Sequence, residues 1–382
     1  MCRYIRYSIF CLLSLLLISS CSKEENKVAS CRRTVLVYMV ARNSLGLGGY
    51  DAADLNEMDR ALKSMDNTNN CRLLVYQSTY GAEPTLFEIV KDSTSVVHNT
   101  LKTYNSSVKS TTIERMSEVL EDVKSYAPAY DYGLVLWSHA SGWAVGFDAN
   151  TTAKSVFADN AEMPLTRTFG RDASATMPID QLAEALPDKM FSVIVNDACL
   201  MGCVEVAYQL RNKCDKFVSS PAETLASGMP YDKVMQYFFT DDVDAVSIAR
   251  TTYDYYASLS GVYRSCAMSV VDCSKLEQTA LWCKEHFAST AELTDTSSLQ
   301  GYNRTSQVKN IYFDFGDYLQ QRCGEKSILD ELVVYKVTTP SILNELSIDS
   351  AKYSGLSVYV MGASNATNEA YYKSLDWYQT TR

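Results

Sequence analysis

Two residues of this chain, Cys199 and His139, could together carry out nucleophilic catalysis. His139 closely follows the apolar run 132–137, and Cys199 closely follows the apolar run 191–195. A cysteine thiolate can attack a carbonyl carbon, and an imidazole can take up and return the proton. The backbone N–H groups of Ala140 and Cys199 are candidates for an oxyanion hole. The pair therefore predicts acyl transfer through a cysteine nucleophile.

The elements that must position this pair are predicted as strands alternating with helices. Continuous apolar, β-branched runs typical of buried strands occupy residues 34–40, 71–77, 132–137, 191–195 and 216–219. Amphipathic helical patterns separate them, one of which is preceded by the capping box Thr111-x-x-Glu114. This order predicts an α/β fold with a mostly parallel sheet.

Ligands of such sheets bind beyond the carboxyl ends of the strands, and that is where Cys199 and His139 are expected. Cys199 is also expected at the start of a helix, whose dipole would favour the thiolate. Each residue has a structural interpretation, as a small buried cysteine and as a hydrogen-bonded core histidine. For two such residues at two strand exits, a catalytic pair is the favoured interpretation.

The motifs around the pair resemble those of one family. Residues 137–143 (WSHASGW), 197–201 (DACLM), 35–45 (VLVYMVARNSL), 169–172 (FGRD) and 220–231 are similar to the clostripain family of cysteine peptidases. That family shares the caspase-like fold with gingipains, legumains and caspases. The resemblance implies a caspase-like α/β/α sandwich with a small C-terminal subdomain. It also implies an endopeptidase with Cys199 as nucleophile and His139 as its partner.

One position departs from the family pattern. Relatives usually have glycine after the catalytic histidine, where this chain has Ala140. Alanine keeps the N–H group, so activity is expected to survive if the local φ is negative. A positive φ would strain the loop by about 1–2 kcal/mol and lower the activity. Ala140 is the feature that favours the alternative function, a surface lipoprotein that binds peptides or a partner without cleaving them.

The resemblance also implies a specificity pocket. Asp197 stands where the family has the floor of the S1 pocket, which holds P1, the residue before the scissile bond. Its carboxylate would pair with Arg or Lys at P1 of a protein or peptide substrate. The alternative is that Asp197 only caps the following helix. Asp232 is a second acid that could reach the pocket, and Arg42 stands where relatives more often carry an acid.

The long polar stretch 146–177 suggests regulation by cleavage. The resemblance implies a zymogen that cuts itself after a basic residue in the segment following the histidine strand. Lys154, Arg167 and Arg171 are the candidates. Loops of this length are usually functional or disordered. We expect a monomer, as one chain or as two self-cleaved chains.

The N-terminal residues are typical of an export signal. Arg3 and Arg6 precede a ten-residue apolar run, which is too short for a membrane span of about 20 residues but suits a signal peptide. The run ends in ISSC at 18–21, which resembles a bacterial lipobox with Cys21 as the lipidated residue. An ordinary signal peptide with a chance cysteine is the alternative. The acidic residues behind Cys21 resemble the surface-export signal of Bacteroidetes lipoproteins. We expect a lipid anchor in the bacterial outer membrane, on its periplasmic or cell-surface side.

Composition narrows the function further. The 382 residues are 47% hydrophobic, enough for a sizeable core, so wholesale disorder is excluded. The formal charge of −10 argues against a nucleic-acid partner, which needs a basic face. Nine cysteines remain beyond residue 21, and an odd number cannot all form disulfides within one chain.

Other chemistries lack their motifs. The chain has no G-x-S-x-G, Walker or EF-hand motif, and its three histidines are too few and scattered for zinc. No cofactor is therefore expected to be required, and calcium is left open as a stabiliser or activator. The expected organisation is a signal peptide (1–20), a lipidated tether (21–32), a caspase-like catalytic domain (33–241), and completion of the sheet with a C-terminal subdomain (242–382).

Overall fold

The computed structural model describes residues 30–93, 95–145, 167–303 and 310–382. Its strands are β1 Cys31–Val40, β2 Cys71–Ser78, β3 Thr85–Asp92, β4 Ser95–Thr103, β5 Ala129–Trp137, β6 Ala140–Val145, β7 Arg167–Asp172, β8 Ala175–Met177, β9 Phe191–Asp197, β10 Cys214–Ser219, β11 Ala267–Asp272, β12 Tyr312–Asp314, β13 Val333–Thr338, β14 Ser341–Ile342, β15 Leu346–Ser347 and β16 Ser357–Tyr359. Its α-helices are α1 Ser44–Leu47, α2 Tyr50–Ser64, α3 Ile113–Tyr126, α4 Ile179–Ala185, α5 Val204–Gln209, α6 Tyr231–Phe238, α7 Ala245–Ala257, α8 Leu276–Ser289, α9 Phe315–Cys323, α10 Leu329–Leu332, α11 Ala366–Ser374 and α12 Asp376–Thr381.

A nine-stranded sheet organises the molecule, in the order β13-β11-β10-β9-β5-β1-β2-β3-β4. The five central strands, β10, β9, β5, β1 and β2, run parallel to one another. Antiparallel strands complete both edges. The predicted α/β fold with a mostly parallel sheet is therefore confirmed, and all five predicted strands lie in the sheet.

The central strands are buried on both faces. Successive side chains of a strand point to opposite faces, and in β1 every residue from 35 to 40 is at most 1% exposed. Helices therefore cover the sheet on both sides. Their apolar stripes supply the contact, as with Met58 and Leu62 of α2 and Met116 and Leu120 of α3.

The cap of α3 differs from the prediction by one residue. The residue with extended backbone directly before the helix is Thr112, and its hydroxyl oxygen accepts the N–H of Arg115 at 3.2 Å. Thr111 precedes the cap and is buried. Glu114 therefore lies in the first turn without completing the predicted capping box.

The second half of the chain adds two strands to the sheet and contacts the loop that follows β9. Strands β11 and β13 join the main sheet, whereas β12 and β16 form a separate antiparallel pair. Ser357 of β16 donates its N–H to the carbonyl of Gly202 at 2.9 Å. The C-terminal residues thereby contact the loop that follows Cys199.

Two further features concern membrane spans and cysteines among the described residues. No helix among them is both long and apolar enough to cross a bilayer. Eight of the described cysteines form no disulfide: Cys31, Cys71, Cys203, Cys214, Cys266, Cys273, Cys283 and Cys323. Cys21 lies outside the described residues.

Candidate active site

The parallel register of β5 and β9 brings Cys199 and His139 to one place. The strands are neighbours, and Trp137 pairs with Asp197 at their carboxyl ends. His139 and Cys199 each lie two residues beyond that pair. The two residues that are 60 positions apart in the sequence therefore leave adjacent strands at the same edge of the sheet.

The predicted helix directly behind Cys199 is absent from this part of the described chain. Leu200 has a φ of 61°, and its N–H donates to the carbonyl of Ala222 at 3.0 Å. Gly202 likewise donates to Ser220 at 2.7 Å. These bonds hold the chain against the 220–222 segment, so helix α5 begins only at Val204. The prediction that its dipole favours the thiolate is wrong.

Thr224 contacts the sulfur of Cys199 instead. The Thr224 N–H donates to Sγ at 3.3 Å, and the Thr224 hydroxyl lies 3.5 Å from Sγ. The N–H donated to the sulfur favours its anionic form, whereas the Thr224 carbonyl, 3.8 Å from Sγ, can accept the proton of the thiol. Cys199 is partly exposed, so the sulfur can be reached by a substrate.

Ser44 orients the imidazole of His139. The Ser44 Oγ lies 2.8 Å from Nε2 of His139, whereas Nδ1 has no hydrogen bond among the described residues. Asn43 holds this loop, since its amide donates to the carbonyls of Val40 at 2.8 Å and Arg171 at 2.9 Å. One ring nitrogen is thus fixed and the other is left for proton transfer. Sequence reasoning missed Ser44, although it lies within the quoted strand motif.

Burial sets the protonation state of this histidine. Desolvation, and secondarily the positive charge of Arg171, lowers the pKa of His139 to about 4. The imidazole is therefore neutral at pH 7, as a general base must be before it accepts a proton. Its backbone is fixed as well, because Gly170 donates its N–H to the His139 carbonyl at 3.0 Å.

Ala140 fits its position without strain. It opens strand β6 and pairs with Phe169, and it is not among the described residues with positive φ. The described residues of this hairpin with left-handed backbone are Gly142, with a φ of 69°, and Gly170, with a φ of 75°. The strain that would follow from a positive φ at Ala140 therefore does not arise, and the sequence feature that favoured an inactive protein loses its basis.

Tyr312 of β12 holds the histidine hairpin from behind. Its hydroxyl donates to the carbonyl of Ser141 at 2.6 Å and accepts the N–H of Ala144 at 2.9 Å. A Cβ at Gly142 would lie 2.5 Å from the same hydroxyl, so the hairpin and Tyr312 are in close contact. Nothing in the sequence pattern pointed to Tyr312, because it lies 173 residues beyond His139.

Asp197 lines a cavity beside Thr224 rather than capping a helix. Its Oδ2 accepts the Met229 N–H at 3.0 Å and the Tyr231 hydroxyl at 2.8 Å. The helix-cap alternative is wrong, since α5 begins at Val204 behind the N-cap Cys203. The cavity wall also includes Leu225, Gly228, Tyr256 and residues 265–268.

A second buried carboxylate, Asp54 of α2, stands behind Asp197. Trp137 donates its indole N–H to Asp54 Oδ2 at 2.6 Å. Burial, and then the charge of Asp197, raises the pKa of Asp54 to about 9, and burial raises the pKa of Asp197 to about 6. Near pH 7 the pair holds one proton on Asp54 and one negative charge on Asp197. Sequence reasoning missed Asp54.

The other predicted acid does not reach this cavity. Asp232 lies in the first turn of α6, ion-paired with Lys233 at 2.8 Å, and it is not part of the cavity wall. The departure at Arg42 also acquires an explanation, because its guanidinium lies 3.5 Å from the buried carboxylate of Asp172. Arg42 thus supplies the counterion that this carboxylate needs.

The three processing candidates fall in different places. Lys154 lies outside the described residues. Arg167 begins β7, where it pairs with Val145. Arg171 is also in β7, its N–H bonded to the Ser138 hydroxyl at 3.1 Å, and the following Asp172 is 1% exposed. The peptide bond after Arg171 is thus held within a hairpin against the active site.

Within the described ranges, no group of three His, Cys, Asp or Glu side chains could hold a metal ion. Cys199, His139, Ser44 and the cavity beside Asp197 lie together at the carboxyl ends of the central strands. The arrangement suits attack of a cysteine sulfur on a carbonyl carbon.

Comparison with known proteins agrees with this chemistry. Residues 37–380 match the model of the clostripain family. An inactive zymogen C11 protease from Parabacteroides distasonis is 31% identical with a TM-score of 0.78, over 92% of this chain and 98% of that one. A secreted C11 cysteine protease from Bacteroides thetaiotaomicron in complex with an irreversible peptide inhibitor is 30% identical with a TM-score of 0.75, over 92% and 98%. The same organism's secreted C11 cysteine protease "iotapain" is 26% identical with a TM-score of 0.77, over 92% and 99%. Among curated proteins there is no match.

Proposed function

Since this chain belongs to the clostripain family of cysteine peptidases, we propose that it is an endopeptidase that cleaves after Arg or Lys. Cys199 and His139 form the catalytic dyad. The position of Asp197 is the observation that supports the preference for Arg or Lys. Its carboxylate lines a cavity together with Thr224, and Thr224 contacts the sulfur of Cys199.

The mechanism follows from the dyad. Neutral His139 takes the proton of Cys199 through its available nitrogen, and the thiolate attacks the carbonyl carbon of P1. The N–H groups of Ala140 and Cys199 stabilise the oxyanion. The imidazolium then protonates the leaving amine, and water hydrolyses the thioester with His139 again as base. Ser44 keeps the ring in place throughout.

The cavity suits a long cationic side chain. Leu225 and the wall around Tyr256 can pack against the methylene stem of Lys or Arg, while Asp197 meets the cationic end. The neutral Asp54 behind it limits the negative charge that must be buried when no substrate is bound. When substrate binds, the buried carboxylate of Asp197 gains a cationic partner at P1 and forms a charge-assisted hydrogen bond with it.

The decisive experiment is a fluorogenic peptide assay with Arg, Lys or Ala at P1. We expect turnover of the basic substrates, its loss in Cys199→Ala, and a fall of about 100-fold or more in kcat/KM in Asp197→Asn, because the ion pair is removed. Asp54→Asn is the matched control, since this carboxyl is already neutral near pH 7. Folded wild-type protein that cleaves none of these substrates would favour the non-catalytic binding protein.

Self-processing is part of the proposal. The protein would cut itself after a basic residue between the histidine strand and β8, and one structural neighbour is an inactive zymogen. Lys154 is the favoured candidate, because the bond after Arg171 is held in a hairpin. Wild-type protein should yield two fragments and Cys199→Ala one chain. A Lys154→Gln protein that is cut at the same place as wild type would contradict this choice.

We also propose export with a lipid anchor at Cys21, supported by the lipobox-like sequence at 18–21. Expressed in a Bacteroidetes host, the wild-type chain should incorporate radiolabelled palmitate and fractionate with the outer membrane. Cys21→Ala should do neither, and Cys31→Ala, ten residues away at the start of β1, is the control. Equal labelling of wild type and Cys21→Ala would refute the anchor.

A further inference from the structure

Cys199 and His139 follow the neighbouring strands β9 and β5, so the other strands of the sheet lie on one side or the other of this pair. Strands β10 and β11 lie beyond Cys199, whereas β1 and β2 lie beyond His139. The acidic cavity is on the first side, since residues 265–268 at the start of β11 form part of its wall. His139 must reach the leaving amine in order to protonate it. The peptide beyond the scissile bond therefore passes toward the ends of β1 and β2.

Three side chains of basic and aromatic type occupy that second side. Arg42 follows β1, Tyr80 follows β2, and Arg171 belongs to the hairpin that is tied to the β1 exit by Asn43. The guanidinium of Arg42 lies 5.9 Å from the ring centre of Tyr80. Tyr80 is 43% exposed, so its ring offers a surface to an extended peptide.

Arg42 and Arg171 differ in their counterions. Arg42 faces the carboxylate of Asp172 at 3.5 Å. Arg171 has no carboxylate partner in the described part of the chain, and its Nε donates to the carbonyl of Ala173 at 2.8 Å. Burial lowers the pKa of Arg171, and its charge is near enough to lower that of His139. A half-buried cation therefore stands beside the catalytic base with its terminal NH2 groups uncompensated by any acid of the described chain.

We infer that Arg171 binds a carboxylate on the leaving-group side, supplied by an acidic side chain within the first two residues after the scissile bond or by the C-terminus of a short leaving peptide. The chemistry is shared, since either carboxylate can accept two parallel hydrogen bonds from the guanidinium. Such a pair would give a half-buried cation the counterion it lacks. The inference rests on the proposed function and extends it, from a basic residue before the bond to an acidic group after it.

The test uses internally quenched peptides with one sequence up to a P1 arginine. They differ after the bond as Ala-Ala, Glu-Ala or Ala-Glu with an amidated C-terminus, or as Ala-Ala with a free carboxylate. We expect one acidic peptide to exceed the amidated Ala-Ala peptide in kcat/KM by about tenfold at low salt and by less at 0.5 M salt. If a Glu peptide is the better substrate, the carboxylate comes from a side chain. If the peptide with a free C-terminus is better, it comes from the C-terminus.

The variants separate this subsite from general electrostatics. Arg171→Gln should bring the ratio of acidic to neutral peptide close to one, and Arg171→Lys should keep part of it. Arg32→Gln removes the same charge near the amino end of β1, at the far end of the strands from Arg171. This variant should keep the full ratio of acidic to neutral peptide. A ratio of one in wild type, or a preference that persists in Arg171→Gln, would overturn the inference.

The same peptides, labelled with a fluorophore, can be titrated against Cys199→Ala protein. Tighter binding of an acidic peptide that depends on Arg171 supports the subsite even if wild-type turnover is absent, in which case only the proposed function fails. If the wild-type protein cleaves all the peptides at equal rates, the proposed peptidase function is supported and the carboxylate subsite at Arg171 is refuted. Failure of Cys199→Ala to bind any peptide, together with absent turnover, contradicts both.

Discussion

The carboxylates of Asp54 and Asp197 meet at Gly228, whose missing side chain leaves room for both. A Cβ at that position would lie 2.7 Å from Asp197 Oδ2 and 3.0 Å from Asp54 Oδ2. The two oxygens are therefore within about 6 Å of each other, where like charges interact strongly. This close approach explains why the charge of Asp197 raises the pKa of Asp54 further, after burial.

Gly228→Ala should lower the cleavage of P1-Arg substrates more strongly than it lowers the stability of the fold. Gly228 has a φ of 62°, so alanine costs about 1–2 kcal/mol in strain, and its Cβ would displace Asp197. We expect kcat/KM for P1-Arg substrates to fall at least about tenfold, mainly through KM. Gly324→Ala is the control, since its φ is 75° but a Cβ there meets nothing within 4 Å. Equal kinetics in the two variants would refute the role of Gly228.

The pH profile should depend on the P1 residue. Burial raises the pKa of Asp197 to about 6, so this carboxyl gains a proton and loses its charge as the pH falls through 6. The kcat/KM for P1-Arg substrates should decline there. Burial lowers the pKa of His139 to about 4, so the base stays neutral well below pH 6. Slow cleavage of a P1-Ala substrate should therefore persist to about pH 5. Identical acid limbs for the two substrates would argue against Asp197 as the group that titrates.

Ser44→Ala should lower kcat with little change in KM. The lost hydroxyl no longer fixes Nε2 of His139, so the ring samples unproductive orientations, and we expect about a tenfold effect. Ser44→Thr keeps the hydroxyl and should recover most of the rate. Ser64→Ala at the end of α2 is a control, because its hydroxyl donates to the Ala61 carbonyl within its own helix at 2.8 Å. An unchanged kcat in Ser44→Ala would exclude the orienting role.

Tyr312→Phe should show how the C-terminal half supports catalysis. The change removes the hydroxyl that bonds to Ser141 and Ala144, which should cost about 1–3 kcal/mol in the free energy of unfolding. Because these bonds hold the histidine hairpin, kcat should fall as well. Tyr104→Phe is the control, since its buried hydroxyl bonds to Asp122 of α3 at 2.9 Å and not to the hairpin or β12. A variant pair with equal losses of stability and equal kcat would show that Tyr312 is only structural. Thermal melts and initial rates at saturating substrate provide the two measurements.

The sequence by itself determined the sheet and predicted that Cys199 and His139 lie together at one end of it. Apolar runs of four to seven residues separated by amphipathic helices predict parallel strands, and the residues just beyond such strands must meet at one end of the sheet. His139 and Cys199 follow from that rule, and the motifs around them support the family assignment. The predicted N-terminal signal and the acidity of the chain likewise rest on local or additive properties of the sequence.

Only the tertiary structure decided how the site is completed. Ser44, Asp54, Thr224 and Tyr312 contribute through contacts between segments far apart in the chain, and such contacts leave no periodic pattern in the sequence. The helix predicted to start at Cys199 begins only at Val204 for the same reason, because bonds to Ser220 and Ala222 hold the intervening residues in another conformation. The freedom of Ala140 from strain depends on a backbone angle that only the hairpin fixes. Residue type and local spacing thus identified the candidate reacting groups, and packing determined how these groups are oriented and charged.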